Sequence, residues 1–325
     1  MHLHIDNSSA LGDVFEITEE RFAAAALRHA ETSAKLRVTF SVDGDNLEAA
    51  LKSAEVLFGW NFERDRLASI APKLKWIQIQ GAGVNHLLPL DWVPANVVIT
   101  NTSGAHGLRA SEYLIMSTLA LNSRLPGMMT AQREKRWDQK QTSSIRDKTV
   151  LIFGVGAVGG SFATEAKRFD MRVLGIRRSG EAHPDVDEMH TPDHLHALLP
   201  RADIIAVTAP HTPETQHVFG KCEFDLMKDG AGFISYSRSR LVDYAAMREQ
   251  LQNDRLSAIV DVFDEEPLPS SSPLWHTPNL ILTPHSSSND PEQHAARSLD
   301  LLFENLARFL NQEPLENIVD PVLQY

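Results

Sequence analysis

The sequence predicts an α/β fold with two doubly wound parallel sheets. Short β-branched or apolar runs alternate with longer amphipathic runs, which is typical of parallel strands connected by helices. The alternation occurs in two successive series, and 325 residues exceed what one compact core usually holds. We therefore expect two domains, each with helices on both faces of its sheet.

The first series of candidate strands comprises Leu3–Ile5, Arg37–Val42, Val56–Phe58, Trp76–Gln80 and Val97–Thr100. The second series comprises Thr149–Phe153, Arg172–Ile176, Ile204–Thr208, Gly232–Ser235, Ala258–Val262 and Leu280–Thr283. Between the two series lie two helical patterns, Ser111–Leu121 and Met128–Arg136, and Pro126–Gly127 is expected to separate them. After Pro291 a long amphipathic helix is predicted to run to about Leu310.

Composition narrows the class of partner. The formal net charge of −12 disfavours nucleic acid and anionic membrane surfaces as partners. No apolar run approaches a membrane span, and the first residues do not match a secretory signal, so a cytoplasmic protein is expected. The single cysteine, Cys222, allows no disulfide within the chain and predicts no cysteine-based zinc site.

A glycine-rich turn follows the first strand of the second series. The letters FGVGAVGG place Gly154, Gly156 and Gly159 between an apolar run and a helical pattern. Such glycines allow a tight turn, close approach of a pyrophosphate to the backbone, and close helix–strand packing. Strand, turn, helix and second strand in this order predict a dinucleotide site rather than an ordinary turn. The residues predicted to contact the dinucleotide there are Gly154, Val155, Gly156, Ala157, Val158 and Gly159.

The next strand ends in Arg177, Arg178 and Ser179. In sites that bind NAD, an acidic residue at this point accepts hydrogen bonds from the adenosine ribose. Two arginines and a hydroxyl would instead attract the additional phosphate of NADP. The sequence therefore predicts that NADP is preferred, with NAD as the other possibility. The alternative is that both arginines are simply solvated.

Three side chains suited to catalysis follow three consecutive strands near the end of the chain. Arg238 lies in FISYSRSRLVD, Glu266 in VDVFDEEPLP and His285 in LILTPHSSS. Side chains at the carboxyl ends of parallel strands converge on the crevice where such sheets bind ligands. Alone, each is more often a solvated charge, a loop residue or part of a capping turn. Together, behind a glycine turn, they favour a catalytic set.

This set matches the needs of 2-keto acid reduction. A histidinium supplies the proton that the carbonyl oxygen needs when hydride is transferred. A carboxylate orients the imidazole, and an arginine fork binds the substrate carboxylate. The sequence thus predicts a reductase of small 2-keto acids, with His285 as acid/base, Glu266 as its partner and Arg238 as the substrate-binding cation.

The chain resembles the D-isomer-specific 2-hydroxyacid dehydrogenases, particularly their glyoxylate/hydroxypyruvate reductase-like branch, over about Leu74–Asp320. The matching segments occur in the family's order: WIQIQGAGVNHL, NTSGAHG, FGVGAVGG, TAPHTPET, FISYSRSRLVD, VDVFDEEPLP and PLWHTPNLILTPH. The first 70 residues are similar only in pattern. These motifs indicate the family much more specifically than any one member.

The resemblance implies a Rossmann nucleotide domain inserted into a flavodoxin-like substrate domain. The NAD(P)-binding domain would span residues 104–287, and the substrate domain residues 1–103 and 288–325. The resemblance also implies a homodimer formed through the nucleotide domains, and a D-2-hydroxy acid as product.

By motif match, the resemblance adds site residues. The backbone N–H groups of Ala82 and Gly83 would hold the substrate carboxylate together with Arg238. The positions that would lie near the nicotinamide are Thr208, Pro210 and Asp261. Two departures concern Arg238: Ser235 stands where the family usually has Asn, and Ser239 where it usually has Gly. The second departure is expected to restrict the backbone beside Arg238.

Other functions fit less well. A nucleotide-sensing binding protein that kept the fold is an alternative, which the complete Arg–Glu–His set disfavours. Formate oxidation is disfavoured because that branch of the family pairs its histidine with Gln. His190 and His194 have the spacing of a helical metal site, but Pro192 lies between them. The neighbouring histidines, His183 to His196, are therefore expected to lie in a solvated loop that leads into Leu195–Leu199, and no metal is predicted.

Overall fold

The computed structural model describes residues 1–62 and 64–321. The chain divides into two compact units, one formed by Met1–His106 with Asn289–Tyr325 and the other by Gly107–Ser288. Each unit is built on one parallel sheet with helical connections. The predicted fold class, α/β with two doubly wound parallel sheets, is therefore confirmed.

The strands are β1 His2–Asn7, β2 Arg37–Val42, β3 Val56–Gly59, β4 Trp76–Ile79, β5 Val98–Thr100, β6 Thr149–Phe153, β7 Arg172–Ile176, β8 Glu188–His190, β9 Ile204–Val207, β10 Gly232–Ser235, β11 Ser257–Val260 and β12 Leu280–Leu282. The α-helices are α1 Glu19–Arg28, α2 Ala30–Ser33, α3 Leu47–Leu51, α4 Leu67–Ile70, α5 Gly107–Asn122, α6 Leu125–Arg133, α7 Ala157–Arg168, α8 Leu195–Leu198, α9 Lys221–Leu226, α10 Tyr244–Gln252 and α11 His294–Asn311. Within the described residues, none of these helices combines the length and apolar character that a membrane span needs.

The first unit carries a five-stranded sheet in the order β2-β1-β3-β4-β5. All its neighbouring strands are parallel. On one face, Leu3 and Ile5 of β1 pack in the same buried cluster as Leu299 and Phe303 of α11. The long amphipathic helix predicted near the end of the chain is confirmed, and it covers one face of the first sheet.

The second unit carries a seven-stranded sheet in the order β12-β11-β10-β9-β6-β7-β8. All its strand pairs are parallel. The chain runs outward from β6 in one direction to β8 and in the other direction to β12. The strand order therefore reverses between β6 and β9, and open parallel sheets bind ligands outside the carboxyl ends of the strands at such a point.

Both faces of β6 are buried. Leu151 and Phe153 belong to a cluster on one face, and Val150 and Ile152 to a cluster on the other. A parallel strand covered by helices on both sides has no polar face, which is why β6 is a continuous apolar run in the sequence.

The prediction that Pro126–Gly127 separates two helices is wrong. Pro126 lies in the first turn of α6, where a missing N–H costs no hydrogen bond. The break falls instead at Arg124, whose backbone adopts a left-handed conformation with φ 58°. A proline at the first turn and a proline after a helix end look the same in sequence.

The expected loop around His190 is partly a strand. His190 ends β8, a three-residue strand at the edge of the second sheet. Its residues, Glu-Met-His, include none of the β-branched types that favour strands, so the sequence gives no signal for it. His190 and His194 share no helix, as the intervening Pro192 predicts, because Pro192 opens a short 3-10 turn.

Candidate active site

Three glycines shape the turn between β6 and α7. Gly154 has φ 107°, and a Cβ there would lie 2.3 Å from the backbone nitrogen of Ala209. A Cβ on Gly159 would lie 2.4 Å from the carbonyl oxygen of Gly154. Gly156, by contrast, has nothing within 4 Å of a Cβ position. The turn is therefore packed at two glycines and open at the third, beside the N-terminus of α7.

The residues from Gly154 to Val158 divide into two groups. The N–H groups of Gly154 and Val155 both donate to the carbonyl of Ile176, at 2.8 and 3.0 Å, and the Val155 side chain is buried. These two residues attach the turn to β7. Ala157 and Val158 form the first turn of α7, where N–H groups have no acceptor within the helix. The open end of the turn can thus bind an anion.

The loop after β9 supports the glycine turn from one side. The hydroxyl of Thr208 donates to the carbonyl of Gly154 at 2.8 Å. Pro210 is exposed, and its carbonyl accepts from the Thr215 hydroxyl at 2.9 Å. Thr208 therefore lies against the turn, and the predicted contact of Thr208 and Pro210 with the nicotinamide stays a prediction.

Arg177, Arg178 and Ser179 follow β7 at the same edge of the sheet. The Arg177 side chain is 23% exposed; its Nε donates to the hydroxyl of Ser179 at 3.1 Å, and its Nη2 pairs with Glu181. Arg178 and Ser179 are exposed. Glu181 is a neighbour that sequence reasoning missed. The one feature of the sequence that could have indicated this pair is that Arg177 and Glu181 are four residues apart, a spacing that brings side chains together in a turn as well as in a helix.

The predicted catalytic residues follow three adjacent strands. Arg238 follows β10, Glu266 follows β11 and His285 follows β12, so all three lie at the carboxyl edge of the second sheet. Nδ1 of His285 is 2.7 Å from Oε2 of Glu266. The other oxygen of Glu266 accepts from the N–H of Phe263 at 2.9 Å. Glu266 therefore holds Nδ1, and Nε2 of His285 has no partner among the described residues.

Arg238 is half-buried beside this pair. Its Nη1 donates to the carbonyl of Ser237 at 2.7 Å. Burial lowers the pKa of Arg238, and the nearby Tyr236 and Glu266 act in the opposite direction. Arginine remains a cation at neutral pH in any such environment. In the described part of the chain no carboxylate forms an ion pair with it, so the guanidinium can bind an anionic ligand.

Asp261 holds the segment that carries His285. The Asp261 carboxylate is fully buried and accepts from the Thr283 hydroxyl at 2.5 Å. It also accepts from the N–H groups of Ser286 and Ser287, both at 3.3 Å, and from the Ser287 hydroxyl. These donors satisfy a buried charge. Sequence reasoning places Asp261 near the nicotinamide, which stays a prediction, and misses this positioning role.

A buried tyrosine, Tyr113, and a half-buried one, Tyr236, extend this network. The hydroxyl of Tyr113 is 2.7 Å from that of Thr283. Burial raises the pKa of Tyr113 to about 12, and burial likewise raises the pKa of Tyr236 to about 12. Both phenols are therefore neutral at physiological pH. The Tyr113 hydroxyl donates to the Thr283 hydroxyl, because the proton of Thr283 goes to Asp261. Sequence reasoning assigns no role to either tyrosine.

The two serines that depart from the family pattern do not strain the site. The hydroxyl of Ser235 is 3.1 Å from that of Tyr244, which donates to the carbonyl of Val262 at 2.6 Å. Ser239 begins a short 3-10 turn and is not among the residues with positive φ, so it needs no glycine-like backbone. Arg238 itself is extended, with φ −146°, and the expected effect of Ser239 on its placement stays a prediction.

Ala82 and Gly83 follow β4 in the first unit. The preceding Gly81 is required there, because a Cβ would lie 2.5 Å from the ring of Trp60. Ala82 is exposed and Gly83 half-buried. Within residues 1–62 and 64–321, neither N–H has a hydrogen-bond acceptor. The pair can donate to an anion, and its predicted contact with a substrate carboxylate stays a prediction.

The family follows from a comparison with known proteins. Residues 115–287, more than half of the chain, match the model of the D-isomer specific 2-hydroxyacid dehydrogenase, NAD binding domain. The chain belongs to the D-isomer-specific 2-hydroxyacid dehydrogenases. The family predicted from the sequence motifs is therefore confirmed.

Solved structures of the family resemble the whole chain. A D-isomer-specific 2-hydroxyacid dehydrogenase from Xanthobacter autotrophicus Py2, in complex with NADPH and MES, is 27% identical, with a TM-score of 0.83 over 99% of each chain. An NADPH-dependent glyoxylate/hydroxypyruvate reductase from Sinorhizobium meliloti, in complex with NADP and sulfate, is 26% identical, with a TM-score of 0.79 over 100% of each chain.

A D-3-phosphoglycerate dehydrogenase from Methanocaldococcus jannaschii is 28% identical over 304 residues. The match covers 91% of this chain but only 57% of that relative. The chain thus spans little more than half the length of this relative.

The glycine turn provides a matched pair of substitutions. We expect Gly154→Ala to destabilise the fold by about 2 kcal/mol or more, because the residue has positive φ and its Cβ would collide with the backbone at Ala209. Gly156→Ala should keep the stability of the wild type, because its Cβ meets open space, and should instead weaken cofactor binding. Chemical unfolding and cofactor titration measure the two effects. Equal stability of both variants would contradict this description of the turn.

Proposed function

We propose that the chain reduces small 2-keto acids to D-2-hydroxy acids with hydride from a nicotinamide cofactor, preferably NADPH. The observation that carries this proposal is the His285–Glu266 pair, 2.7 Å apart, beside Arg238, whose guanidinium has no ion-pair partner in the described part of the chain. Family membership supports the reaction class, and the named activity of the Sinorhizobium meliloti relative supports the substrate class. A panel of 2-keto acids assayed with NADPH and NADH tests it. No turnover with any of them would favour the alternative, a dinucleotide-sensing protein.

The proton path follows from which imidazole nitrogen is free. Nδ1 of His285 is held by Glu266, so Nε2 carries the proton that can be transferred. As the carbonyl carbon accepts hydride, the π electrons of the carbonyl bond move to its oxygen. That oxygen takes the proton from Nε2, and the imidazole becomes neutral. The Nδ1–H group keeps its proton and its hydrogen bond to Glu266. Oxidation of the hydroxy acid reverses each step.

Arg238 gives the substrate its orientation in this proposal. The guanidinium presents N–H groups in a planar fork that matches a carboxylate. Arg238 is half-buried, and no carboxylate of residues 1–62 and 64–321 pairs with it. A bound carboxylate would therefore gain a contact poorly screened by water. Binding this end of a 2-keto acid would aim the adjacent carbonyl at His285.

The glycine turn fits a dinucleotide cofactor. Gly156 leaves open space at the N-terminus of α7, where a pyrophosphate would accept hydrogen bonds from first-turn N–H groups. Arg177, with Arg178 and Ser179, would bind the 2′-phosphate that distinguishes NADP from NAD. When bound, this cofactor supplies the hydride.

A homodimer formed through the second unit belongs to the same proposal. Five large apolar side chains of α5, α6 and the segment after α6 are exposed, namely Leu108, Met116, Leu125, Met129 and Trp137. Exposed apolar side chains concentrated in consecutive segments are typical of an interface. The cytoplasmic location stays a prediction.

His285 and Glu266 predict the pH dependence of the reaction. Reduction needs the protonated imidazole and oxidation the neutral one, so kcat/KM for reduction should fall with rising pH and that for oxidation should rise. His285→Ala should lower kcat by about 10²- to 10⁴-fold, because general acid–base catalysis contributes that much. The cofactor dissociation constant should stay unchanged. Near-normal turnover of His285→Ala would remove this residue from the mechanism.

Arg238 predicts an effect on substrate rather than cofactor. Arg238→Ala should lower kcat/KM for 2-keto acids by about 10- to 150-fold or more, through loss of at least one charge-assisted hydrogen bond. Arg238→Lys should recover only part, because an ammonium lacks the planar fork. Arg240, an exposed arginine two residues further on, provides the control. Arg240→Ala should change neither kcat/KM for 2-keto acids nor the dissociation constant of the cofactor. Full recovery with Lys would mean that Arg238 acts as a point charge.

Arg177 and Glu181 predict the cofactor preference. Wild type should favour NADPH over NADH in kcat/KM by about 10- to 150-fold, since one charge-assisted hydrogen bond contributes about 1.5–3 kcal/mol. Arg177→Asp should reverse this ratio. Glu181→Gln should increase it, because the competing carboxylate is removed. Arg168→Asp repeats the charge change at the far end of α7, about 18 Å from the turn, as a control. A wild-type preference for NADH would overturn this role of Arg177.

A further inference from the structure

Three side chains with metal-binding atoms meet on the surface of the second unit. His196 lies on α8, and Cys222 and Glu223 lie in the first turn of α9. One nitrogen, one sulfur and one oxygen atom of these residues all lie within 4.8 Å of one another. Nε2 of His196 is 2.6 Å from Oε1 of Glu223. None of the three belongs to the proposed catalytic set.

Glu223 is held in place as a ligand would be. Its second oxygen accepts from the N–H of Gly220 at 3.0 Å, and only 15% of its side chain is exposed. Both oxygens of the carboxylate are thus oriented by partners, which is what hydrogen bonds around a metal ligand provide.

The other two side chains are accessible, and the nearest lysine is occupied elsewhere. The His196 side chain is 59% exposed, and Cys222 is exposed with a free thiol. The ammonium group of Lys221 lies 3.2 Å from Asp225 and 4.0 Å from Glu249. An ion from solvent can therefore reach the three donor atoms, and this lysine is paired with carboxylates outside the cluster.

We propose that His196, Cys222 and Glu223 form a binding site for a zinc-type divalent ion, with water as the fourth ligand. A mixed set of imidazole, thiolate and carboxylate suits Zn²⁺, whereas Mg²⁺ and Ca²⁺ prefer oxygen ligands alone. Donor atoms around tetrahedral zinc lie about 3.3 Å apart or slightly more. Small rotations of the accessible His196 and Cys222 side chains achieve this spacing. Binding releases the thiol proton, and His196 binds as the neutral imidazole, with its remaining N–H on the ring nitrogen that does not hold the ion.

This site is independent of the proposed reaction. It would add a link between α8 and α9, two short helices that are separated in the chain by a 3-10 turn, β9 and the loop after it. An ion that binds the folded chain and not the unfolded one raises the stability of the second unit. The prediction that the chain has no cysteine-based zinc site rests on the number of cysteines alone. That number cannot reveal a site that takes one ligand each from a histidine, a cysteine and a glutamate.

The test uses the fact that Cys222 is the only cysteine in the chain. A thiol reagent therefore reports on this site alone. We expect one equivalent of Zn²⁺, added to full-length protein stripped of metal by a chelator, to slow modification of Cys222 strongly. Co²⁺ in its place should give a thiolate-to-metal absorption band. In competition with a chelating dye, His196→Ala and Cys222→Ser should each bind Zn²⁺ about tenfold more weakly or worse.

His190→Ala is the matched control. His190 also lies beside a glutamate, 3.4 Å from Glu188, but that pair includes no cysteine. His190→Ala should leave Zn²⁺ affinity unchanged, and Cys222→Ser should leave 2-keto acid turnover unchanged. Unaltered thiol reactivity at saturating Zn²⁺ would overturn the proposal. Wild-type affinity in Cys222→Ser, or equal loss in His190→Ala and His196→Ala, would also overturn it by placing the ion elsewhere.

Discussion

The buried carboxylate of Asp261 determines where His285 stands. A charge with no exposed surface is tolerated only when hydrogen bonds satisfy it. Among the described residues, the donors to the Asp261 carboxylate all come from the segment Thr283–Ser287. That segment cannot shift without leaving a buried anion unsatisfied. The restraint fixes a histidine whose backbone is itself unusual, with φ 46°. Because His285 is fixed, Glu266 can meet its Nδ1 and leave its Nε2 free.

The parallel sheet of the second unit brings the other groups to the same edge. The strands β10, β11 and β12 run side by side in one direction, so residues distant in sequence leave the sheet together. The glycine turn leaves the same edge at β6, beyond β9. The sheet thus places a turn able to bind phosphate and a proton donor along one line of strand ends.

Strand-end residues such as Arg238, Glu266 and His285 could be predicted because their positions depend only on the alternation of strands and helices. Contacts made by side chains within turns could not. The pairing of Arg177 with Glu181 and the donors to Asp261 depend on backbone angles that the letters do not specify. The serine run after His285 supplies three of those donors, yet its letters do not show that it folds onto Asp261. The strand β8 was missed because three residues at a sheet edge need little strand propensity.

The glycine motif depends on a second segment of the chain, because Gly154 packs closely against Ala209. In sequence the motif is a continuous run of letters, but its shape also depends on Thr208, whose hydroxyl bonds the carbonyl of Gly154, and on the backbone of Ala209. Transplanting FGVGAVGG alone into another scaffold would therefore omit the support on which the turn rests. The smallest portable version of this binding element consists of two segments, β6 with its turn and the end of β9 with Thr208 and Ala209.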